Sequence, residues 1–144
     1  MRFNTKAEYG LAAIADIAIQ HEQGKKAVTA EIAKRQRISP KYLEQILLQL
    51  RRSNLIYAAK GKNGGYSLTR AASSISVTDI LNALDSSILA DASELDVQDG
   101  IRMNLKVCLW DKVNSHMRAY MDRLTLAELL AQCDAFESGG CYSI

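Results

Sequence analysis

Ile38-Ser39-Pro40-Lys41-Tyr42-Leu43-Glu44-Gln45-Ile46-Leu47-Leu48-Gln49-Leu50-Arg51-Arg52 is the stretch on which the fold turns. Ser39 before Pro40 marks a helix start, because a serine hydroxyl can accept a backbone N–H bond and proline at the first helical position forfeits none. Leu43, Ile46, Leu47 and Leu50 recur at i, i+3, i+4 and i+7, which builds one apolar face. Lys41, Glu44, Gln45 and Gln49 are assigned to the opposite, polar face.

Working outward, the preceding residues read as a short helix through Ile32 and Ala33, capped by Thr29 and ending in the basic Lys34, Arg35 and Arg37, where cations suit the helix dipole. A first helix comes before it, with Ala7, Leu11, Ile14 and Ala18 at helical spacing until Gly24. Two short helices joined by a brief turn, the second with a polar outer face, predict a helix-turn-helix whose second helix can enter a DNA major groove. After it, Leu55–Ala59 and Tyr66–Leu68 flank a basic, glycine-rich tip, residues 60–65. Asn63-Gly64 is expected to supply the positive dihedrals of a tight hairpin turn, and the whole reads as a wing carrying Lys60 and Lys62. Neither a P-loop nor a dinucleotide fingerprint fits these glycines.

Val77, Ile80, Leu81 and Leu84 predict a fourth helix that closes the core. Residues 86–103 lose periodicity and carry Asp91, Glu94, Asp96 and Asp99, an acidic loop or linker. From Leu105 the pattern returns at Leu109, Val113, Met117, Tyr120, Met121 and Leu124: a long amphipathic helix expected to pack on a partner subunit. Thr125 caps a last helix to about Cys133. The expected organisation is a DNA-binding domain over 1–85, a linker over 86–103, a dimerisation helix and short terminal helix over 104–134, and a flexible tail over 135–144. The fold class is mainly α with a small β-hairpin.

The 144 residues carry a net charge of +2, yet residues 1–70 hold 13 Lys+Arg against 5 Asp+Glu and residues 71–144 hold 5 against 11. A basic amino-terminal half is the electrostatic footprint of a nucleic-acid surface, because clustered cations displace the counterions condensed on phosphate. No apolar run suffices to cross a bilayer and no signal-peptide succession is present, so a cytoplasmic location is expected. Cys108, Cys133 and Cys141 are odd in number and widely spaced, unlike a secreted disulfide framework. Hydrolase, kinase and zinc-protease signatures are absent, and no enzyme is expected.

Taken together, Thr5-Lys6-Ala7-Glu8-Tyr9-Gly10-Leu11, Ile38 to Gln45, Gly64-Gly65-Tyr66-Ser67-Leu68 and Leu124-Thr125-Leu126-Ala127-Glu128-Leu129 resemble the winged-helix bacterial regulators that include the iron–sulfur cluster regulator, the nitric-oxide-sensing repressor and the cysteine metabolism repressor. The resemblance implies a homodimeric transcription factor that reads a palindromic double-stranded DNA operator. It places base reading on Ser39, Lys41, Tyr42 and Glu44, with Gln45 a further expected DNA-binding residue, and puts Lys60 where the family has a wing arginine. Arg51 and Arg52 are read as phosphate contacts or plain surface rather than sequence readers, and Lys62 as a phosphate contact. Glu44 can accept from the amino group of cytosine, or it is a solvated helix residue; Tyr42 either touches DNA or packs in the core.

Cluster-binding relatives carry three cysteines before the long helix, whereas residues 86–107 here contain no cysteine and no histidine. No metal or cofactor is expected. Cys108 is read as a buried small hydrophobe, Glu8 as a helix-start carboxylate, and His21 and His116 as exposed or interface histidines. Cys133 and Cys141 remain a candidate redox pair. The cysteine-free loop and the tail favour the cysteine metabolism repressor type, a repressor of sulfur-assimilation genes that responds through a complex with cysteine synthase. Tyr142-Ser143-Ile144 resembles the isoleucine end that this enzyme's active site accepts. A redox or iron–sulfur sensor of the same family is the alternative.

Overall fold

The computed structural model describes residues 4–89 and 100–139. Helix α1 (Thr5–Glu22) starts where Asn4 accepts the Ala7 N–H at 2.8 Å. It buries Ala13, Ile14, Ile17 and Ala18. At Gly10 it runs so close to helix α4 (Val77–Leu84) that an added Cβ would meet the Leu84 side chain. Helix α2 (Thr29–Gln36) begins one residue earlier than expected: Val28 holds the cap position without a side-chain bond, and Thr29 is already helical. Arg37 ends α2 in the left-handed conformation at φ 54°, so the turn into α3 (Pro40–Arg52) takes three residues. There Ser39 accepts the Tyr42 N–H at 3.3 Å, with Pro40 opening the helix.

The wing is an antiparallel pair, β1 (Ile56–Ala59) and β2 (Gly65–Leu68), in register from Ile56 opposite Leu68 to Ala59 opposite Gly65. Ala27 adds a one-residue third strand, exchanging backbone hydrogen bonds with Tyr66 at 2.9 and 2.8 Å. The turn corrects the Asn63-Gly64 expectation: positive φ falls on Gly61 (107°) and Gly65 (146°), not on those two residues. A five-residue tip does not need the two-residue hairpin geometry. Gly65 needs its missing side chain as well, since a Cβ would lie 2.7 Å from the Ala27 carbonyl oxygen.

Helix α4 is fixed by a reciprocal cap in which Ser76 accepts the Asp79 N–H and Asp79 accepts the Ser76 N–H, each at 3.0 Å. Helix α5 (Gly100–Leu105) continues through a π-helical turn, Lys106–Trp110, into α6 (Asp111–Arg123). The wide turn brings i and i+5 together, and Lys106 Nζ reaches both Asp111 carboxylate oxygens at 2.9 Å. At 1.5 Å per residue this continuous helix spans about 36 Å. Helix α7 (Leu126–Glu137) has the same reciprocal cap between Thr125 and Glu128, and runs a turn past Cys133.

One core gathers α1, α2, α3, β1, β2 and α4 around Ile14, Ile17, Ile46, Leu50 and Ile80, and α7 returns to it through Leu126 and Leu130. A smaller cluster of Ala7, Val77, Leu81, Leu89 and Met121 seats the end of α6 on α4. Val77 N–H bonds the Leu124 carbonyl at 2.9 Å and Leu126 N–H the Ile75 carbonyl at 2.8 Å, joining the start of α4 to the segment that links α6 and α7. Most of the apolar face of the continuous helix is open among the described residues: Ile101, Leu105, Val107, Leu109, Trp110, Val113 and Tyr120 are exposed. Cys108 is exposed with them, which corrects its reading as buried: among the described residues no element packs over its stripe. Residues 91–99 of the acidic segment, with Cys141, Tyr142, Ser143 and Ile144, lie outside the described residues.

Candidate nucleic-acid interface

A buried ionic lock sets the angle of the helix-turn-helix against α1. Asp16, only 3% exposed, accepts from Arg35 Nε at 2.9 Å, from Arg35 Nη2 at 2.8 Å and from Gln36 Nε2 at 2.9 Å. Burial pushes its carboxyl up, but the hydrogen bonds from Arg35 and Gln36 and the guanidinium charge outweigh this and hold it below the ordinary carboxylate value. Arg35 shifts upward through the same hydrogen bond. The fork satisfies both carboxylate oxygens, the condition under which a buried charge is tolerated. Sequence reasoning placed Arg35 among helix-end cations and passed over Asp16. The available signal was a lone carboxylate on the apolar stripe between Ala13 and Ile17.

With α2 held this way, α3 presents its outer face to solvent. Leu43, Ile46, Leu47 and Leu50 are buried, and Lys41, Glu44, Gln45, Arg51 and Arg52 are exposed. Gln49 departs from the expected polar face: it is half-buried, with Oε1 shielded from solvent. Ser39 stands exposed at the start of the helix with its hydroxyl engaged in the cap. Tyr42 is half-buried and packs edge-on against Tyr9, with ring centroids 5.9 Å apart and planes at 75°. That ring contact favours packing for the aromatic face.

Lys60 and Lys62 are exposed on the wing tip, beyond β1. Beside the wing, Lys26 Nζ lies 5.2 Å from the centre of the Tyr57 ring. Lys25, Lys26 and Lys62 border a hollow of about 450 Å³ between the α1–α2 turn and the wing tip. His21, at the end of α1, shares a 2.5 Å hydrogen bond with the buried Ser67 of β2, tying helix to wing. The arrangement sets one polar helix face and one basic hairpin tip on the same frame, the two elements with which a winged helix can engage a duplex. Glu8 is exposed in the first turn of α1, where the dipole favours a carboxylate. His116 lies exposed on α6, bonded to the Lys112 carbonyl at 2.7 Å.

A family profile for Rrf2, described as an iron-dependent transcriptional regulator, matches residues 3–132. The HTH-type transcriptional regulator IscR of Cereibacter sphaeroides is 33% identical over 135 residues, covering 90% of this chain and 87% of its own length. Among solved structures, the global cysteine regulator CymR of B. subtilis superposes with a TM-score of 0.78 at 24% identity, over 92% of this chain and 98% of that one. The oxidised form of Staphylococcus aureus CymR gives 0.72 at 29% identity, over 90% and 96%.

An iron–sulfur cluster, which the family description brings into question, needs soft thiolate donors close together. Residues 86–107 offer none. Cys108 and Cys133 are exposed on separate helices, and among the described residues no three His, Cys, Asp or Glu side chains gather. This donor set does not fit a cluster at the base of the long helix. No helix among the described residues is long and apolar enough to cross a membrane. The match over nearly the whole chain, the identity to a named regulator and a helix-turn-helix with its wing together establish that this chain belongs to the Rrf2 family of DNA-binding transcriptional regulators and is not an enzyme.

Proposed function

We propose that the chain acts as a homodimer that reads a near-palindromic operator and represses genes of cysteine and sulfur metabolism. The observation that carries the dimer is the uncovered apolar face of the Gly100–Arg123 helix, with Trp110 52% exposed. A contiguous apolar surface of this kind marks a protein interface, and a two-fold pair would set two α3 helices on half-sites about one helical turn, 34–36 Å, apart. In this reading residues 1–85 form the DNA-binding part and residues 104–134 carry the dimer contact. Ser39, Lys41 and Glu44 face bases, Tyr42 joins them only through its hydroxyl because its ring packs on Tyr9, Gln45 lies beside them on the DNA-binding face, and Arg51, Arg52, Lys60 and Lys62 face phosphates. Lysine at position 60 is more strongly hydrated than arginine and lacks its planar fork, so the wing discriminates groove shape weakly.

Likeness to the S. aureus cysteine regulator and the cysteine-free segment 86–107 support the sulfur assignment. Control through cysteine synthase rests on the resemblance of Tyr142-Ser143-Ile144 to the isoleucine ends which that enzyme accepts, and capture of such an end by backbone donors is an established mode. Selection of bound duplexes from a random pool, with light scattering of the free protein, tests the core of the proposal. A palindromic consensus and a dimer are expected; equal affinity for selected and scrambled DNA at physiological salt refutes it. Deleting Ile144, or adding one residue after it, should abolish the cysteine synthase complex and leave operator binding intact.

The second reading, a redox- or iron–sulfur-sensing regulator, is favoured by the 33% identity to IscR. A stoichiometric visible absorption band after anaerobic purification, lost in Cys108→Ala, would decide for it; colourless protein that binds its operator without iron decides against it.

A further inference from the structure

Each residue of α3 turns the helix by about 100°, so the buried Leu43, Ile46, Leu47 and Leu50 define one pole and Lys41, Gln45, Leu48 and Arg52 surround the other. Leu48 falls within about 30° of that outward pole. It is 45% exposed and belongs to neither buried cluster. Glu44 lies one turn before it and Arg52 one turn after it. A lone exposed leucine on a protein surface is ordinary. Its position here is not, because every other residue at this pole carries a hydrogen-bonding or charged group.

The major groove displays donors and acceptors on every base pair and one apolar feature, the 5-methyl group of thymine. A single aliphatic side chain set among polar ones on a groove-facing helix is complementary to that pattern. We propose that Leu48 is a specificity-determining residue that packs on a thymine methyl in each half-site. This rests on the reading of α3 as the recognition helix. Four residues advance about 6 Å along the helix axis, and successive base pairs lie roughly 3.4 Å apart, so the thymine sits one or two base pairs from the pair that Glu44 faces. Contact removes apolar surface of both partners from water, whereas cytosine at that position presents no methyl and an amino donor that leucine cannot answer.

The test uses the full chain and a duplex selected by it from a random pool, remade with each thymine in turn replaced by deoxyuridine. That exchange removes the methyl and leaves every hydrogen-bonding group. At one thymine per half-site uracil should weaken wild-type binding roughly three- to fivefold, the worth of one buried methyl. Leu48→Ala should bind thymine and uracil equally there and respond normally to the other exchanges. Leu48→Met, which keeps the aliphatic reach, should retain the preference. An equal uracil penalty in wild type and Leu48→Ala, or no sensitive thymine at all, overturns the proposal. So does a weakened dimer in Leu48→Ala by sedimentation, which would assign Leu48 to a protein contact. Failure to enrich any sequence removes the recognition-helix reading itself; enrichment without a methyl effect removes only the role of Leu48.

Discussion

Helices α3 and α5–α6 are both amphipathic, yet they meet opposite fates. In α3 the four apolar residues find α1, α4 and β1 within the same chain and become fully buried. Along residues 100–123 an apolar stripe of similar character stays in water except where Met121 seats on α4. Periodicity therefore tells which face of a helix wants cover; whether the cover is intramolecular depends on what the rest of the chain can bring to it. Burial contributes about 25 cal/mol per Å² of apolar surface; that contribution is realised for α3 on folding, and for the long helix it would come with the proposed association.

The widest contrast comes from truncating one apolar residue in each. Leu47→Ala should lower unfolding free energy by about 2–5 kcal/mol, the range for a fully buried leucine, measured by urea denaturation. Trp110→Ala should leave stability at high dilution nearly unchanged and weaken the proposed dimer by about 2 kcal/mol or more, as central interface aromatics do, measured by analytical ultracentrifugation. A matching loss of intrachain stability in Trp110→Ala would erase the distinction between the two helices.

A smaller effect is expected at the lock between α1 and α2. Arg35→Ala strands the buried Asp16 carboxylate and should cost about 2 kcal/mol, less than the 3–5 of a fully buried pair because Arg35 is 39% exposed. The folded-state value of Asp16 is depressed. Its contribution is therefore complete above the ordinary carboxylate range near pH 4 and is lost as pH falls through the folded value. Asp16→Asn should flatten the acid limb of a plot of urea midpoint against pH; an unchanged limb would show that the lock does not set it.

Wing-tip lysines should matter least to the fold. Lys60→Ala and Lys62→Ala are expected to change stability by no more than about 0.5 kcal/mol. Each should reduce the salt dependence of DNA binding by up to about 0.9 per lost phosphate contact. A unit loss of slope with selected and random duplexes alike would identify phosphate contacts; a loss confined to selected DNA would make the wing a sequence reader.

Local chemistry was the legible part of the fold. Ser39-Pro40, the leucine spacing of α3 and the Thr125 cap each act within a turn or so of chain, and the structure has all three. Readings failed where a distant partner decided. Asp16 and Arg35 are 19 residues apart and meet only because α2 packs across α1. Gly65 takes its conformation where β2 passes the Ala27 carbonyl, so the tempting Asn63-Gly64 pair was the wrong place to look. Cys108 reads as a core residue, but among the described residues no element packs over it. In the candidate interface, exposure and face followed from periodicity for Lys41, Glu44 and Gln45, whereas the Tyr42 contact with Tyr9 depended on how α1 crosses α3.

The paired backbone bonds at Ile75–Val77 and Leu124–Leu126 make the long helix an arm whose C-terminal end is pinned to the start of α4, beside the seat of Met121. Helix α4, which packs on α1 and α3 as well as on α6, is the plate on which the arm is mounted. Two backbone bonds and the Met121 seat at that one end hold the arm against the free swivelling of a tethered appendage. A clamp that tilts the far end turns α4, and with it the frame carrying α3. In the proposed dimer, the crossing angle of two arms would act as a gear that sets the distance between two reading heads.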